Sequence, residues 1–471
     1  MFKLSFFFIG LFLLFSCTRP PKIEHPKLEN LPNKNWEAAS PVSGKVATTW
    51  WTDFGDSNLT ETVKRALNNN YSLKIAAANI EAAKAQATIA GAPLYPNLSV
   101  ANTASKRKQI FVGLPIPNAP PGSILSSTST VYGLSGDVSW ELDLWGRVRA
   151  AKSAANAQIQ ATKADFQAAR LSICGQTTKA WLAAVEGEKQ VQLAASTLEN
   201  FTTTRDQINT RYEKGLRPSI DLMLAETNVS TAESFLVQRS MQAQQALRQL
   251  EVLLGKYPAA VLEISNELPQ LQSDVPTGLP TELLSRRPDL YAAERMLAAS
   301  KISIKQAKLA FLPRLALSGS RGTSTPDYAE VANQDFLVWN IAGNIVQPIF
   351  QGGRLWASVS LAKAQNQQAL ASYATQVLTA FAEVENAMAA ENFLSRQQET
   401  LVRATNQALN SRQLAESRYY SGVSDLITML EAQRRAFDAQ SQLLNVQRLR
   451  LEARVNLYLA LGGGFAEDMI K

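Results

Sequence analysis

The sequence predicts a mainly α fold that carries a β-barrel, organised as two tandem repeats. Three observations predict it. Landmarks recur 207 positions apart: Trp140–Arg147 precedes Gln347–Arg354, and Arg211-Tyr212-x-x-Gly215 precedes Arg418-Tyr419-x-x-Gly422. Each half holds a pair of segments in which apolar and polar residues alternate. Each pair is followed by a long proline-free stretch with an alanine-rich seam. A duplication of this length implies two similar halves about a pseudo-axis. Strands of this kind joined to helices too long for a globular domain point to a channel rather than an enzyme.

The chain begins with Lys3, an apolar stretch from Leu4 to Phe15, and then Ser16-Cys17. That stretch has the length of a signal-peptide core and is too short to span a bilayer as a helix. Residues 1–16 are therefore predicted to be a signal peptide. Leu14-Phe15-Ser16-Cys17 resembles a bacterial lipobox, which makes Cys17 the expected site of lipidation. Thr18 is not the Asp that favours retention at the inner membrane. No other segment is apolar enough for a spanning helix, so any crossing of the membrane must use strands.

Residues 17–55 form a predicted acylated, extended segment, rich in Pro, Asn and Lys and closing on Trp50-Trp51-Thr52-Asp53-Phe54-Gly55-Asp56. The first repeat is assigned to residues 56–255. Asp56 or Ser57 can cap a helix running from Leu59 to Ala90, interrupted at Leu67–Tyr71 and stopped by Pro93 and Pro96. The pattern then alternates. Tyr132, Leu134, Gly136, Val138 and Trp140 share one face; Gly133, Ser135, Asp137, Ser139 and Glu141 share the other. About ten residues of this alternation suit a transmembrane barrel strand, and residues 97–105 form its weaker partner. Residues 106–130, rich in Pro, Gly, Ser and Thr, read as a surface loop.

Next come the helices. No proline falls between Gly146 and Pro218, and residues 147–211 as one helix would span about 100 Å. Ala150, Ala154, Ala157, Ala161, Ala164, Ala168 and Leu171 recur at steps of four and three, a coiled-coil seam. Leu222, Ala225, Val229, Ala232 and Leu236 continue it on the return helix. Alanine hides little apolar area, so a single hairpin is marginal and many helices must pack together.

Residues 256–281 read as a connector, and residues 282–464 as the second repeat. Ser285-Arg286-Arg287-Pro288-Asp289-Leu290 opens a helix to about Leu309, with Pro288 comfortable near its start. Strands are expected at 314–321 and 337–347, with a loop at 322–335 between them. The second seam is read as Ala357, Leu361, Ala364, Gln368, Ala371, Thr375, Leu378 and Ala382, returning through Met429, Ala432, Ala436 and Ala439. Residues 465–471 form a tail.

Several classes of function are disfavoured. The net charge of +7 is mild and spread out, which permits contact with an anionic membrane surface but does not argue for nucleic acid. The only histidine is His25, and Cys174 sits in a helical pattern as buried filler, so no metal site and no cofactor are expected. There is no phosphate-binding Gly-rich loop and no nucleophile elbow. Glu383 and Glu385 read as solvated or salt-bridged rather than catalytic.

Trp50-Trp51-x-x-Phe54-Gly55-Asp56, Arg286-Arg287-Pro288-Asp289, Gln351-Gly352-Gly353-Arg354, Leu430-Glu431-Ala432-Gln433-Arg434 and Leu461-Gly462-Gly463-Gly464 together resemble the outer-membrane efflux protein family, the TolC-like channels. With the lipobox, they look most like its lipoprotein branch, which serves resistance-nodulation-division pumps. The resemblance implies a homotrimer in which each chain gives four transmembrane strands to a shared barrel and long coiled-coil helices to a periplasmic tunnel. It implies a periplasmic adaptor and an inner-membrane pump as partners, with the barrel held in outer membrane lipid. Four strands per chain are too few to close a barrel, which agrees. The rival readings are an exit duct for type I secretion, a pump adaptor, and a soluble periplasmic coiled-coil scaffold.

A conduit must be closed at rest, and its gate is expected where the helical hairpins turn. The glycines of both turns suit a left-handed C-cap, and Ser219 or Asp221 and Ser424 or Asp425 suit the next N-cap. In the family an acid–base network and an apolar constriction hold the aperture near an Asp-Ala-Gln-Arg motif. Carried over, Ile427 is the constricting residue, Glu431 the acid and Arg434 the base; this chain has Glu where Asp is usual. Arg418, Tyr419 and Asp425 of the second turn, and Arg211, Tyr212 and Asp221 of the first, are expected to contribute.

Overall fold

A computed structural model of the chain describes residues 36–37, 44, 46–112, 120, 124–271, 275–278 and 280–464. The predicted signal peptide, Cys17, His25 and the tail at 465–471 lie outside the described residues.

A 3₁₀ turn at Trp50–Phe54 leads into α1 (Ser57–Asn69) and α2 (Tyr71–Gly91). Asp56 caps α1, accepting from the Asn58 and Leu59 amides. Then follow β1 (Asn97–Phe111), β2 (Leu125–Leu142), α3 (Arg147–Glu213) and α4 (Ser219–Leu253). The second half runs α5 (Leu283–Arg286), α6 (Pro288–Leu309), β3 (Arg314–Thr323), β4 (Leu337–Val346), α7 (Arg354–Tyr420) and α8 (Leu426–Ala460).

The two halves match element by element. Helices α3 and α7 have 67 residues each, and α4 and α8 have 35 each. At 1.5 Å per residue the longer pair reaches about 100 Å. Gly146 (φ 81°) and Gly353 (φ 80°) occupy the same left-handed N-cap of α3 and α7. The interval between equivalents is 217 before the strand hairpins (Tyr71 to Pro288) and 207 after them (Arg147 to Arg354). The difference is absorbed in the strands. β1 and β2 have 15 and 18 residues, whereas β3 and β4 have 10 each.

This corrects the expected loop at 106–130. Residues 106–111 and 125–130 are strand, paired from Lys106↔Thr130 to Phe111↔Leu125. Their alternation is invisible in sequence because both faces are polar; Ser and Thr cross-strand pairs carry the ribbon instead. The segment to residue 55 is likewise not wholly extended, since Trp50–Phe54 coils against the core.

The sheet is antiparallel in the order β1-β2-β3-β4, so within one chain the outer edges of β1 and β4 are unpaired. Below it, α3 packs against α2, α4, α6 and α8, and α7 against α6 and α8. No described helix is long and apolar enough to cross a membrane.

The first seam is largely buried, from Ala150 through Ala164. The expected second seam is not. Leu361 and Leu378 are more than half exposed, and the buried stripe of α7 is instead Val359, Ala362, Tyr373, Val377, Ala380 and Val384. The larger side chains won the intrachain contacts, because burying Val and Tyr hides more area than burying Ala and Thr. The displaced seam is left facing outward.

The largest core joins the halves at the junction of helices and sheet. Trp50 stacks on Tyr458 at 5.0 Å, Tyr458 donates to Asp53 at 2.8 Å, and Trp181 donates to the Asp56 carboxylate at 3.0 Å. Asn70, the N-cap of α2, donates to the Leu253 carbonyl at the end of α4. Its equivalent, Arg287, donates to the Ala460 carbonyl at the end of α8 and binds Asp289 (2.7 Å) and Glu383 (2.5 Å). Glu385 accepts from the Glu37 amide. Both carboxylates are thus occupied structurally. Cys174 is buried, and burial pushes its thiol up to about 12.

Candidate gate at the hairpin tips

Both helical hairpins turn through the same backbone motif. The Gly215 amide donates to the Tyr212 carbonyl (2.8 Å) and the Leu216 amide to that of Arg211 (2.8 Å). In the second turn Gly422 donates to Tyr419 (3.1 Å) and Val423 to Arg418 (2.9 Å). Gly215 (φ 70°) and Gly422 (φ 75°) are left-handed, and an added Cβ would meet nothing within 4 Å at either. Backbone conformation, not space, selects glycine there. Asp425 caps α8 by accepting from the Thr428 amide at 2.7 Å, and that bond holds its carboxyl below the usual range. The first turn has Pro218 at the same place and no side-chain cap.

A small core ties the tips together. Phe201, Ile208, Ala225, Val229, Tyr419, Leu426 and Met429 pack as one cluster. Tyr419 is 1% exposed. The guanidinium of Arg217 lies 5.0 Å from its ring and that of Arg211 5.5 Å, an attraction of cation to ring face. Arg211 also lies 5.9 Å from Tyr420, whose hydroxyl burial pushes upward. Gln433 reaches from α8 to Thr204 on α3 (3.3 Å) and Glu416 on α7 (3.0 Å).

The acid and base expected to act together do meet. Glu431 binds Arg435 at 2.7 Å and Arg434 at 2.9 Å, and Arg434 also approaches Asp438 at 3.4 Å. Hydrogen bonds from Arg435 and then Arg434 hold the Glu431 carboxyl below its ordinary value. All these contacts run along α8 itself. Ile427, one turn earlier, is 67% exposed and projects from the tip.

The remaining residues divide. Tyr419 meets Arg211, as above. Asp221 pairs with Arg217 at 3.7 Å, not with Arg211. Arg418 uses its carbonyl in the turn, while its side chain is exposed and forms no ion pair with Asp425. Tyr212 is exposed and outside the cluster. Sequence reasoning missed Arg217, Arg435, Glu416 and Gln433. The last lies inside the Leu430–Arg434 motif, one residue from a seam alanine, where a polar group has to find partners on neighbouring helices. Among the described residues no three His, Cys, Asp or Glu side chains are grouped to hold a metal ion.

A four-stranded sheet with open edges, mounted on paired helices about 100 Å long that end in charged tips, defines a TolC-like channel protein. The chain belongs to the outer membrane efflux protein family, whose model matches residues 62–256 and 279–463. It is 31% identical over 464 residues to the pyoverdine export outer membrane protein OpmQ of Pseudomonas putida, covering 97% of this chain and 96% of that one. It is 33% identical over 460 residues to the outer membrane protein OprJ of Pseudomonas aeruginosa, covering 96% and 94%. The crystal structure of the Campylobacter jejuni CmeC outer membrane channel superimposes with a TM-score of 0.87 at 25% identity, covering 95% of both chains. The protein is thus an outer-membrane efflux channel that extends into the periplasm.

Proposed function

We propose that three copies of this chain close one barrel and one helical duct, the exit of a tripartite efflux assembly completed by a periplasmic adaptor and an inner-membrane pump. The observation that carries this reading is a pair of unpartnered features at opposite sides of the protomer. β1 and β4 each present a free edge, a template for another strand. Ile75, Ala78, Ala82, Ala85 and Ile89 form an exposed seam on α2 at coiled-coil spacing, and α7 exposes Ala357, Leu361, Ala364, Ala371 and Leu378. These seams on α2 and α7 join neighbouring copies into a ring.

Conduction through the duct is passive and needs no catalytic group or cofactor. At rest the tips close it: Ile427 narrows the aperture, and Glu431, Arg434, Asp425, Arg418, Arg211, Tyr212, Asp221 and Tyr419 fix the tip geometry. Opening needs a partner with higher affinity for the open tips, and the adaptor supplies it. Cys17 carries a lipid that assists insertion. The test is Leu378→Arg together with Leu361→Arg, both exposed in the protomer. The double variant should fold and yet give neither heat-modifiable trimers nor planar-bilayer conductance. Wild-type trimers from it would refute the ring.

A further inference from the structure

The longer strand hairpin carries a surface that conduction does not require. β2 pairs with β3 as far as Ser135↔Gly322 and is bridged once more at Tyr132↔Thr325, so beyond Tyr132 β1 and β2 continue alone as a two-stranded ribbon. One face of β1 reads Leu98, Val100, Asn102, Ala104, Lys106, Lys108. Directly opposite on β2 stand Val138, Gly136, Leu134, Tyr132, Thr130 and Thr128. This is the mainly apolar face of the sheet, continued by Leu315 and Leu317 of β3 and by Trp339, Ile341 and Ile345 of β4, with Arg321 the one charged residue that β3 and β4 place on it, opposite Gly136. Along it, the side chains change from apolar, through Tyr132, to a pair of lysines facing a pair of threonines.

The charge on this ribbon is one-sided. From Glu81 to Asp137 the sequence contains no other carboxylate, while Lys106, Arg107 and Lys108 stand in a row. All three are exposed, and among the described residues none has an ion-pair partner. The shorter hairpin is the reverse. Its loop holds Asp327, Glu330 and Asp335 and no cation between Ser324 and Phe336. That loop packs lower, with Tyr328 edge-on to Tyr132 at 5.5 Å and its hydroxyl 3.4 Å from the Asn102 amide nitrogen. Its acids make no ion pair with the ribbon.

We propose that Lys106 and Lys108, with Thr128 and Thr130, bind the phosphate-bearing headgroups of lipid in the outer leaflet. The inference rests on the barrel reading, in which the apolar face meets hydrocarbon. Ten or so tilted residues cross the hydrocarbon, so side chains continuing that face beyond Tyr132 emerge at headgroup depth. Successive same-face lysines are about 7 Å apart and opposed threonines about 5 Å across. Two ammonium groups and two hydroxyl donors can then share one or two phosphates. Clusters of unpaired cations beside a membrane surface are the recognised means of holding anionic lipid. Arg107, on the opposite face among Ser127 and Ser129, turns away from the lipid.

The test uses the full-length protein in nanodiscs, with retention of diphosphoryl lipid A read by native mass spectrometry. K106Q/K108Q should retain it roughly 20–30-fold less than wild type, and R107Q should match wild type. Dephosphorylated lipid A should be retained poorly by all three, and excess inorganic phosphate should not displace the bound lipid. Equal retention by K106Q/K108Q overturns the site, as does an equal loss in R107Q, which would mean unspecific charge. Displacement by inorganic phosphate also overturns it, since the ligand would then be a soluble anion. Heat-modifiability reports on the barrel separately. An inserted protein that fails these comparisons loses only the lipid site, whereas a protein that never inserts loses the barrel and the site together.

Discussion

The two helical hairpins have the same length and the same glycine turn, yet their tips are charged differently: the second sets Glu431 between Arg434 and Arg435, whereas the first has the pair Arg217–Asp221. Glu431, Arg434 and Arg435 correspond to Leu224, Thr227 and Asn228 of the first hairpin. Asp425, which caps α8, corresponds to Pro218, and Ser424 to Arg217. The long helices and their glycine turns are duplicated, because each half spans the same distance. The acid held between two arginines occurs in one half alone. On the gate proposed above, the departures from the repeat mark the moving parts.

The same contrast at the other end of the helices gives the largest expected effect. Asn70 and Arg287 hold equivalent carbonyls, one by a neutral bond and the other within an ionic cluster. Burial disfavours the Arg287 charge, but Asp289 and Glu383 more than compensate, and its guanidinium is held firmly protonated. Arg287→Ala strands a buried acceptor and two carboxylates that are only partly exposed, so thermal unfolding should report a loss of about 2–3 kcal/mol after discounting for solvent. Asn70→Ala should cost about 1 kcal/mol. Equal losses would mean that the ionic cluster adds nothing to the duplicated contact.

Gly215→Ala and Gly422→Ala come next. Each forces a Cβ into a left-handed turn with no clash, and each should cost about 1 kcal/mol in chemical denaturation. A difference much beyond a factor of two between them would show that the turns are not equivalent.

The smallest effects belong to the exposed tip network. Arg434→Ala should raise resting conductance or antibiotic leak by about twofold, in line with the modest strength of exposed pairs. Thr227→Ala at the equivalent position should leave both unchanged. Because its folded value is depressed, the Glu431 carboxylate contributes fully above the ordinary carboxylate range and is lost as pH falls through the lowered value. Leak should stay flat from neutral pH down to that range and rise only in stronger acid. A rise near pH 6 would assign the gate to another group.

Much of this architecture is legible in the sequence for a physical reason. A 207-residue interval and a heptad seam are long-range regularities, and they survive local noise. The break at Asn70, the strand at Val138 and Trp140, and the glycine turns all lie where a single local rule dominates. On α7 two adjacent stripes share heptad spacing, and only packing decides which one faces the chain's own core. The polar ribbon at 106–111 was misread because alternation says nothing when both faces are hydrophilic. At the tips, Glu431 and Arg434 are readable as neighbours along one helix, whereas the approach of Arg217 to Tyr419 joins residues about 200 apart and leaves no local trace.

The matched helix lengths have a consequence for how such a chain can change. Four helices of a protomer act as a ruler, and shortening one by a heptad throws the tips out of phase unless its companions shorten as well. The strand hairpins are under no such bond, and the step from 217 to 207 falls in them. Variation in this protein should therefore collect at the cell surface, while the reach across the periplasm stays fixed.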